Sequence, residues 1–266
     1  MNEYRGGVGE PLLLLHGLTA SWRVWQPVPP GLTAHHHVIA PTLAGHDGGR
    51  APAVGVDVSV GSLTDGVERR LDELAIERIH IAGNSLGGWI ALELARRGRA
   101  QSVVAFSPPA AWRSARDLAR VSALVEAGHL AAGLSGPRFR GLLARPRARR
   151  ALLRLAFEHG ERVPPAVAEA MLAENAACTV VEEVVRAAWR DGPIAPSPAM
   201  PSCRIRIAWP VQDRTAPFER FGRPLLSLAP AAELVRLAGV GHVPMYDDPQ
   251  LVVRTILEVT RRHAIG

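Results

Sequence analysis

Two hydrophobic patterns take turns along the first hundred residues. Short runs that are mostly apolar, at 11–15, 38–40, 78–82 and 102–106, have the length of strands buried on both faces. Between them, Leu63, Val67, Leu71 and Leu74 recur at four, four and three residues, a single stripe on a helix over 59–74. A second helix is predicted over 87–97, where Ile90, Leu92 and Leu94 make a mostly apolar surface and Gly98 supplies the stop. Strand and helix in alternation predict an α/β fold, a mostly parallel sheet with helices on both faces.

The alternation stops after 111. From 112 to 200 the pattern is helical without strands: Leu118, Val121, Leu124 and Val125 first, then 142–157, 165–175 and 180–189. Thr179 and Glu182 have the spacing of a capping box for the last of these. Pro193, Pro196, Pro198 and Pro201 mark the return, strands follow at 205–209 and 232–237, and Leu251, Val252, Thr255, Ile256 and Val259 line a closing helix. The expected organisation is a core of 1–111 and 201–266 with a helical cap of 112–200. An insertion after a strand's C-terminal end sits over the edge where parallel sheets place their chemistry.

Composition refines this little. A chain of 266 residues, 47% hydrophobic, supports one core with a lid. The net charge is +6, but all 31 basic residues are arginine, which reads as a compositional bias. With no basic helix interleaved with aromatics, no nucleic-acid partner is expected. Arg138, Arg140, Arg145, Arg147, Arg149, Arg150 and Arg154 form the densest basic run. The preferred reading is a solvated helix face, with Leu142, Leu143, Leu152, Leu153 and Leu155 on the core side. Leu12 to Leu15 is too short for a signal core or a membrane span, so a cytoplasmic protein without a membrane partner is expected. Cys178 and Cys203, far apart, are expected reduced and buried. Of His35, His36 and His37 only the first and last share a side of an extended segment, so no metal is expected. Trp22 and Trp25, in a proline-rich stretch, are expected to pack. The oligomeric state stays open.

The chemistry is concentrated in Gly83-Asn84-Ser85-Leu86-Gly87, which joins a strand directly to a helix. In a G-x-S-x-G elbow the serine sits on a sharp turn and projects its hydroxyl above the sheet, while the next residue's N–H points at the same spot. Glycines at 83 and 87 relieve crowding that a Cβ would create there. Leu86 is therefore one candidate oxyanion donor, and Leu18, in the loop His16-Gly17-Leu18-Thr19 after the early strand, is the other. Asp213 follows the strand at 205–209, and His242 follows the strand at 232–237. Ser85, Asp213 and His242 thus appear in the order nucleophile, acid, base, each just beyond a strand. A serine hydroxyl is a poor nucleophile until a neutral imidazole takes its proton, and a carboxylate fixes that imidazole's tautomer.

Through His16-Gly17, Gly83 to Gly88, Trp209 to Pro217 and Gly241-His242, the chain resembles the α/β-hydrolase superfamily over almost its full length. It looks most like the lidded group of carboxylesterases, lipases and carbon–carbon bond hydrolases. The resemblance implies Ser85 as nucleophile, Asp213 as acid and His242 as base, with a small-molecule substrate and no cofactor. A serine at the elbow argues against the dehalogenase and epoxide-hydrolase members, which carry aspartate there. Two departures stand out: the His-Gly loop arrives by residue 16, so one or both usual leading strands are expected missing or stunted, and Thr42 stands where relatives commonly carry Asp. The leading expectation is a serine hydrolase of small to medium, mostly apolar esters. The alternatives are a carbon–carbon bond hydrolase of diketone-like substrates using the same triad, and a small-molecule binding protein of the same fold with little turnover.

Overall fold

The structure, a computed structural model, describes residues 2–195 and 203–261. Seven strands form one sheet: β1 (Glu3–Gly6), β2 (Glu10–Leu15), β3 (His36–Pro41), β4 (Ile79–Asn84), β5 (Ala100–Phe106), β6 (Arg204–Pro210) and β7 (Glu233–Leu237). Their order is β1-β3-β2-β4-β5-β6-β7, with β1 antiparallel to β3 and every other pair parallel. A leading strand is therefore present but stunted, four residues long.

The apolar runs are continuous because both faces of the sheet are covered. Leu13, Leu15, Ile81 and Val103 point into one core with α2 (Val60–Glu73) and α3 (Leu86–Arg96). Leu12, Leu14, Ala82 and Val104 point the other way, onto Trp25, Leu32 of α1 (Pro29–Leu32) and α10 (Pro249–Thr260). Trp25 is fully buried, and Trp22 stacks on Tyr4 and donates to Asn2. Thr42 is buried, its hydroxyl taking a long bond from the N–H of Trp22.

Among the described residues five α-helices separate β5 from β6: α4 (Ala115–Gly133), α5 (Pro137–Leu143), α6 (Pro146–Leu152), α7 (Pro165–Ala177) and α8 (Val181–Asp191). Helix α9 (Phe218–Leu228) joins β6 to β7. Several sequence expectations fail in the inserted stretch. The helix expected over 142–157 is two, because Pro146 has no N–H to give and opens a new helix at its first turn. The expected capping box does not form: Val180 is the N-cap of α8, and the Thr179 hydroxyl donates to Gly45 O instead. Of the five leucines expected on the core side, Leu143 alone is fully buried, while Leu142, Leu152 and Leu155 are exposed. Pro196, Pro198, Pro201 and the boundary at 200 lie outside the described residues.

The inserted helices are tied to the core by Ser21 Oγ donating to Glu174 (2.8 Å), Thr179 N–H to Gly45 O (2.9 Å), Ile194 N–H to Ala110 O (2.7 Å) and Val243 N–H to Ala156 O (2.8 Å). Each core partner lies just past the C-terminal end of a parallel strand, which is the edge where the site residues sit.

Candidate active site

Ser85 is the N-cap of α3 and holds φ 54°, ψ −118°, a sparsely populated backbone region. Such a residue costs about 1–3 kcal/mol and persists only where its surroundings over-determine it. Here they do. Its N–H donates to Phe106 O (2.8 Å) and its carbonyl accepts from Trp89 N–H (3.0 Å). A Cβ on Gly83 would lie 2.1 Å from Gly87 O, and one on Gly87 2.3 Å from Leu15 O, so strand and helix approach to a distance only glycine allows. Asn84 and Leu86 are buried, and Ser85 between them is partly exposed. As the first residue of α3, Leu86 has an N–H with no acceptor within the helix, at its positive end.

Asp213 lies in the turn after β6, a turn closed by the Trp209 indole N–H donating to Ala216 O (2.9 Å). One carboxylate oxygen accepts from the N–H groups of Thr215 (3.0 Å) and Ala216 (2.7 Å), which fixes its orientation. The other sits 2.8 Å from His242 Nδ1. Both residues are buried. A carboxylate accepts only, so Nδ1 carries the proton and Nε2 is left free to take one. The Asn84 side-chain amide donates to His242 O (2.9 Å), joining the residue before the elbow serine to the histidine's own backbone. This role of Asn84 was not read from the sequence, although the residue lies inside the motif.

The His16 loop abuts the elbow: a Cβ on Gly17 would lie 3.2 Å from the Cβ of Ser85. Leu18 is next in that loop. His16 shapes it in one tautomer, because Leu43 N–H donates to Nε2 (2.9 Å), leaving Nδ1 to donate to Gly17 O (2.8 Å). Burial, helped by His46 edge-on at 4.9 Å, pushes the His16 imidazole down to about 3, so it stays uncharged.

A second buried aspartate supports His242 from below. Asp247 accepts from the N–H groups of Gly241 (2.8 Å), Glu158 (2.9 Å) and His159 (2.7 Å), and its carbonyl accepts from Arg162. It therefore pins the His242 loop to the stretch between α6 and α7. Its signal in the sequence is its place five residues after the histidine, where a buried carboxylate is otherwise unneeded. Asp247→Asn turns one of two accepting oxygens into a donor facing an N–H, and is expected to cost about 3 kcal/mol in urea unfolding. Loss under 1 kcal/mol would show that the loop holds without it.

The remaining candidates do not join the site. His36 is buried, between Glu10 O (3.0 Å) and the Thr260 hydroxyl (2.8 Å), while His35 and His37 are not. Among the described residues no group of three His, Cys, Asp or Glu could hold a metal ion. Cys178 is buried, but Cys203, expected buried, is only partly so, at the start of the strand edge. Arg149, expected in water, is buried and donates to Leu143 O and to Glu161 O (2.9 Å). No described helix is long and apolar enough to cross a membrane.

Comparison with known proteins agrees with the fold. The sequence profile of the alpha/beta hydrolase family matches residues 12–255. The chain is 36% identical over 207 residues to the epoxide hydrolase EphH of Mycobacterium tuberculosis, covering 75% of this chain and 94% of that one. It is 35% identical over 99 residues to the 2-hydroxy-6-oxo-2,4-heptadienoate hydrolase of Pseudomonas putida, 36% of each chain. The solved 2-hydroxy-6-oxo-6-phenylhexa-2,4-dienoate hydrolase of Rhodococcus sp. strain RHA1 superposes with a TM-score of 0.76 over 98% of this chain and 94% of its own, at 21% identity, a likeness of fold alone. With a profile spanning nearly the whole sheet and an elbow, an acidic turn and a histidine loop gathered at its C-terminal edge, this chain belongs to the alpha/beta hydrolase family.

Proposed function

We propose that the protein is a serine hydrolase of small to medium, mostly apolar esters or related acyl bonds, working through an acyl-enzyme on Ser85. The observation that carries this reading is the strained, partly exposed Ser85 on the same sheet edge as a buried His242–Asp213 pair. Ser85 Oγ attacks the acyl carbon and passes its proton to His242 Nε2, while the Leu18 and Leu86 N–H groups receive the developing oxyanion. His242 then gives that proton to the leaving alkoxide. Water, deprotonated by the same nitrogen, attacks the acyl-enzyme and releases the acid and the free serine. Helices α4 to α8 serve as the cap that selects the acyl group.

The similarity to an epoxide hydrolase does not extend to the bond broken. A serine alkoxide opening an epoxide would leave an ether, with no carbonyl for water to attack, whereas a carboxylate nucleophile leaves a hydrolysable ester. Carbon–carbon cleavage with the same triad is the second reading, favoured by the partial match to a dienoate hydrolase.

The test is kcat/KM for acetyl, butyryl and hexanoyl esters beside a vinylogous diketone. Each methylene buried contributes up to about 0.8 kcal/mol, close to fourfold, until the pocket is full. A rise along the ester series with no diketone cleavage supports the esterase reading. Turnover of the diketone alone would replace it with the carbon–carbon reading, and turnover of neither would leave a binding protein.

A further inference from the structure

The charge of this chain is not spread over its surface. Between residues 127 and 157 there are seven arginines and no acidic residue. Setting those seven aside leaves 24 basic against 25 acidic residues, so the rest of the chain is at −1 and this one segment accounts for the whole positive balance. Elsewhere several arginines are held in carboxylate clusters, as Arg70 is by Glu3 and Glu73, Arg97 by Asp65, Glu68 and Glu93, and Arg206 by Glu233 and Glu258. In the segment, Arg145, Arg147, Arg150 and Arg154 are all exposed, and among the described residues the one ion pair these four make is Arg150 with Glu161 at 3.6 Å.

The same stretch exposes large apolar side chains. Leu130 is 63% and Leu134 76% exposed, with Leu142, Leu152 and Leu155 also in solvent. On α4 they are not scattered: Arg120, Ala123, Ala127, Leu130 and Leu134 recur at three, four, three and four residues and are all exposed, an unpartnered apolar stripe with an arginine at its start. That arginine faces the end of α6 and the residues after it across a cavity. The cavity, of about 540 Å³, is lined by Arg120 of α4 together with Arg154, Leu155 and Arg214, and it reaches Asp213.

Exposed arginine and leucine interleaved along one segment match one kind of surface. Nucleic acid would use the cations and leave the leucines in water, while a second copy of the chain would set the exposed arginines against their own copies. An anionic lipid surface takes both, phosphates for the guanidinium groups and acyl boundary for the leucines. We infer that the exposed face of α4, α5 and α6 is a peripheral docking surface for anionic membranes, placed beside the cavity that reaches Asp213. It departs from the expectation of no membrane partner, which rested on the lack of a spanning segment, and it does not depend on which bond the enzyme cleaves.

The test is co-sedimentation of the full chain with phosphatidylcholine vesicles containing 30% phosphatidylglycerol or none, at low and high salt. Binding to the anionic vesicles is expected to fall at least tenfold without phosphatidylglycerol or in high salt. The triple variant Arg145→Gln, Arg147→Gln, Arg150→Gln should lose on the order of 100-fold, at about fivefold per charge. The double variant Leu130→Ser, Leu134→Ser should lose about tenfold or more. All five positions are exposed, and thermal melts matching the parent confirm folding. Absent binding by the parent overturns the inference, as does binding that either variant retains in full. So does a stable dimer in sedimentation velocity that the leucine variant dissolves, or duplex DNA binding that the leucine variant keeps while vesicles are ignored.

Discussion

Replacing Ser85 with alanine is expected to lower kcat/KM for the best ester by 10³ to 10⁶ and to abolish labelling by a fluorophosphonate probe, one label per chain in the parent. In the proposed mechanism the loss is large because nucleophile and base act as one unit: without the hydroxyl, His242 and the proposed oxyanion donors would have nothing to assist except water. The fold should be indifferent, since alanine meets the same backbone penalty at φ 54° that serine does. Ser85→Gly makes a sharper control. Glycine adopts positive φ freely, so that variant should be equally inactive yet gain roughly 1 kcal/mol of stability. A variant that keeps full labelling would move the nucleophile elsewhere and end the proposed mechanism.

Asp213→Asn is expected to reduce turnover by roughly 10² to 10⁴ with little change in melting temperature. Asparagine fills the same turn and can still accept from Thr215 and Ala216 through its oxygen. Its amide then faces His242 Nδ1 as a donor. The imidazole answers by placing its proton on Nε2, the nitrogen that must be bare to take the serine's proton. Asp247 provides the contrast, because its carboxylate hydrogen-bonds to the backbone N–H groups of Gly241, Glu158 and His159 and not to the imidazole. Its asparagine variant should therefore lose stability first, and Asp213's should lose turnover first. The opposite split would exchange their roles.

Most of the fold is legible because its signals are local and redundant. Continuous apolar runs at 11–15 and 102–106 have few readings other than buried strands, and the four-four-three stripe from Leu63 to Leu74 reappears as α2, which the structure shows capped by Ser59. The inserted helices are less legible for an equally physical reason. Leucine and arginine there have similar helix propensity and no fixed address, so Leu142, Leu152 and Leu155 look like core until the packing leaves them exposed. Arg149 errs in the other direction: its guanidinium is buried where two carbonyls wait for it, a contact invisible without the fold.

The order of Ser85, Asp213 and His242, the glycines that let the elbow turn and the parallel character of the sheet all follow from residue types and spacing, because each answers a steric or chemical demand within a few positions. Contacts between distant segments do not. That the Asn84 amide holds the backbone of His242, that Thr179 ties α8 to Gly45 rather than capping it, and that Asp247 joins the histidine loop to residues 158 and 159 depend on which segments close upon one another. A hydrogen bond is satisfied equally well by many partners, so sequence alone leaves the partner open and packing selects it.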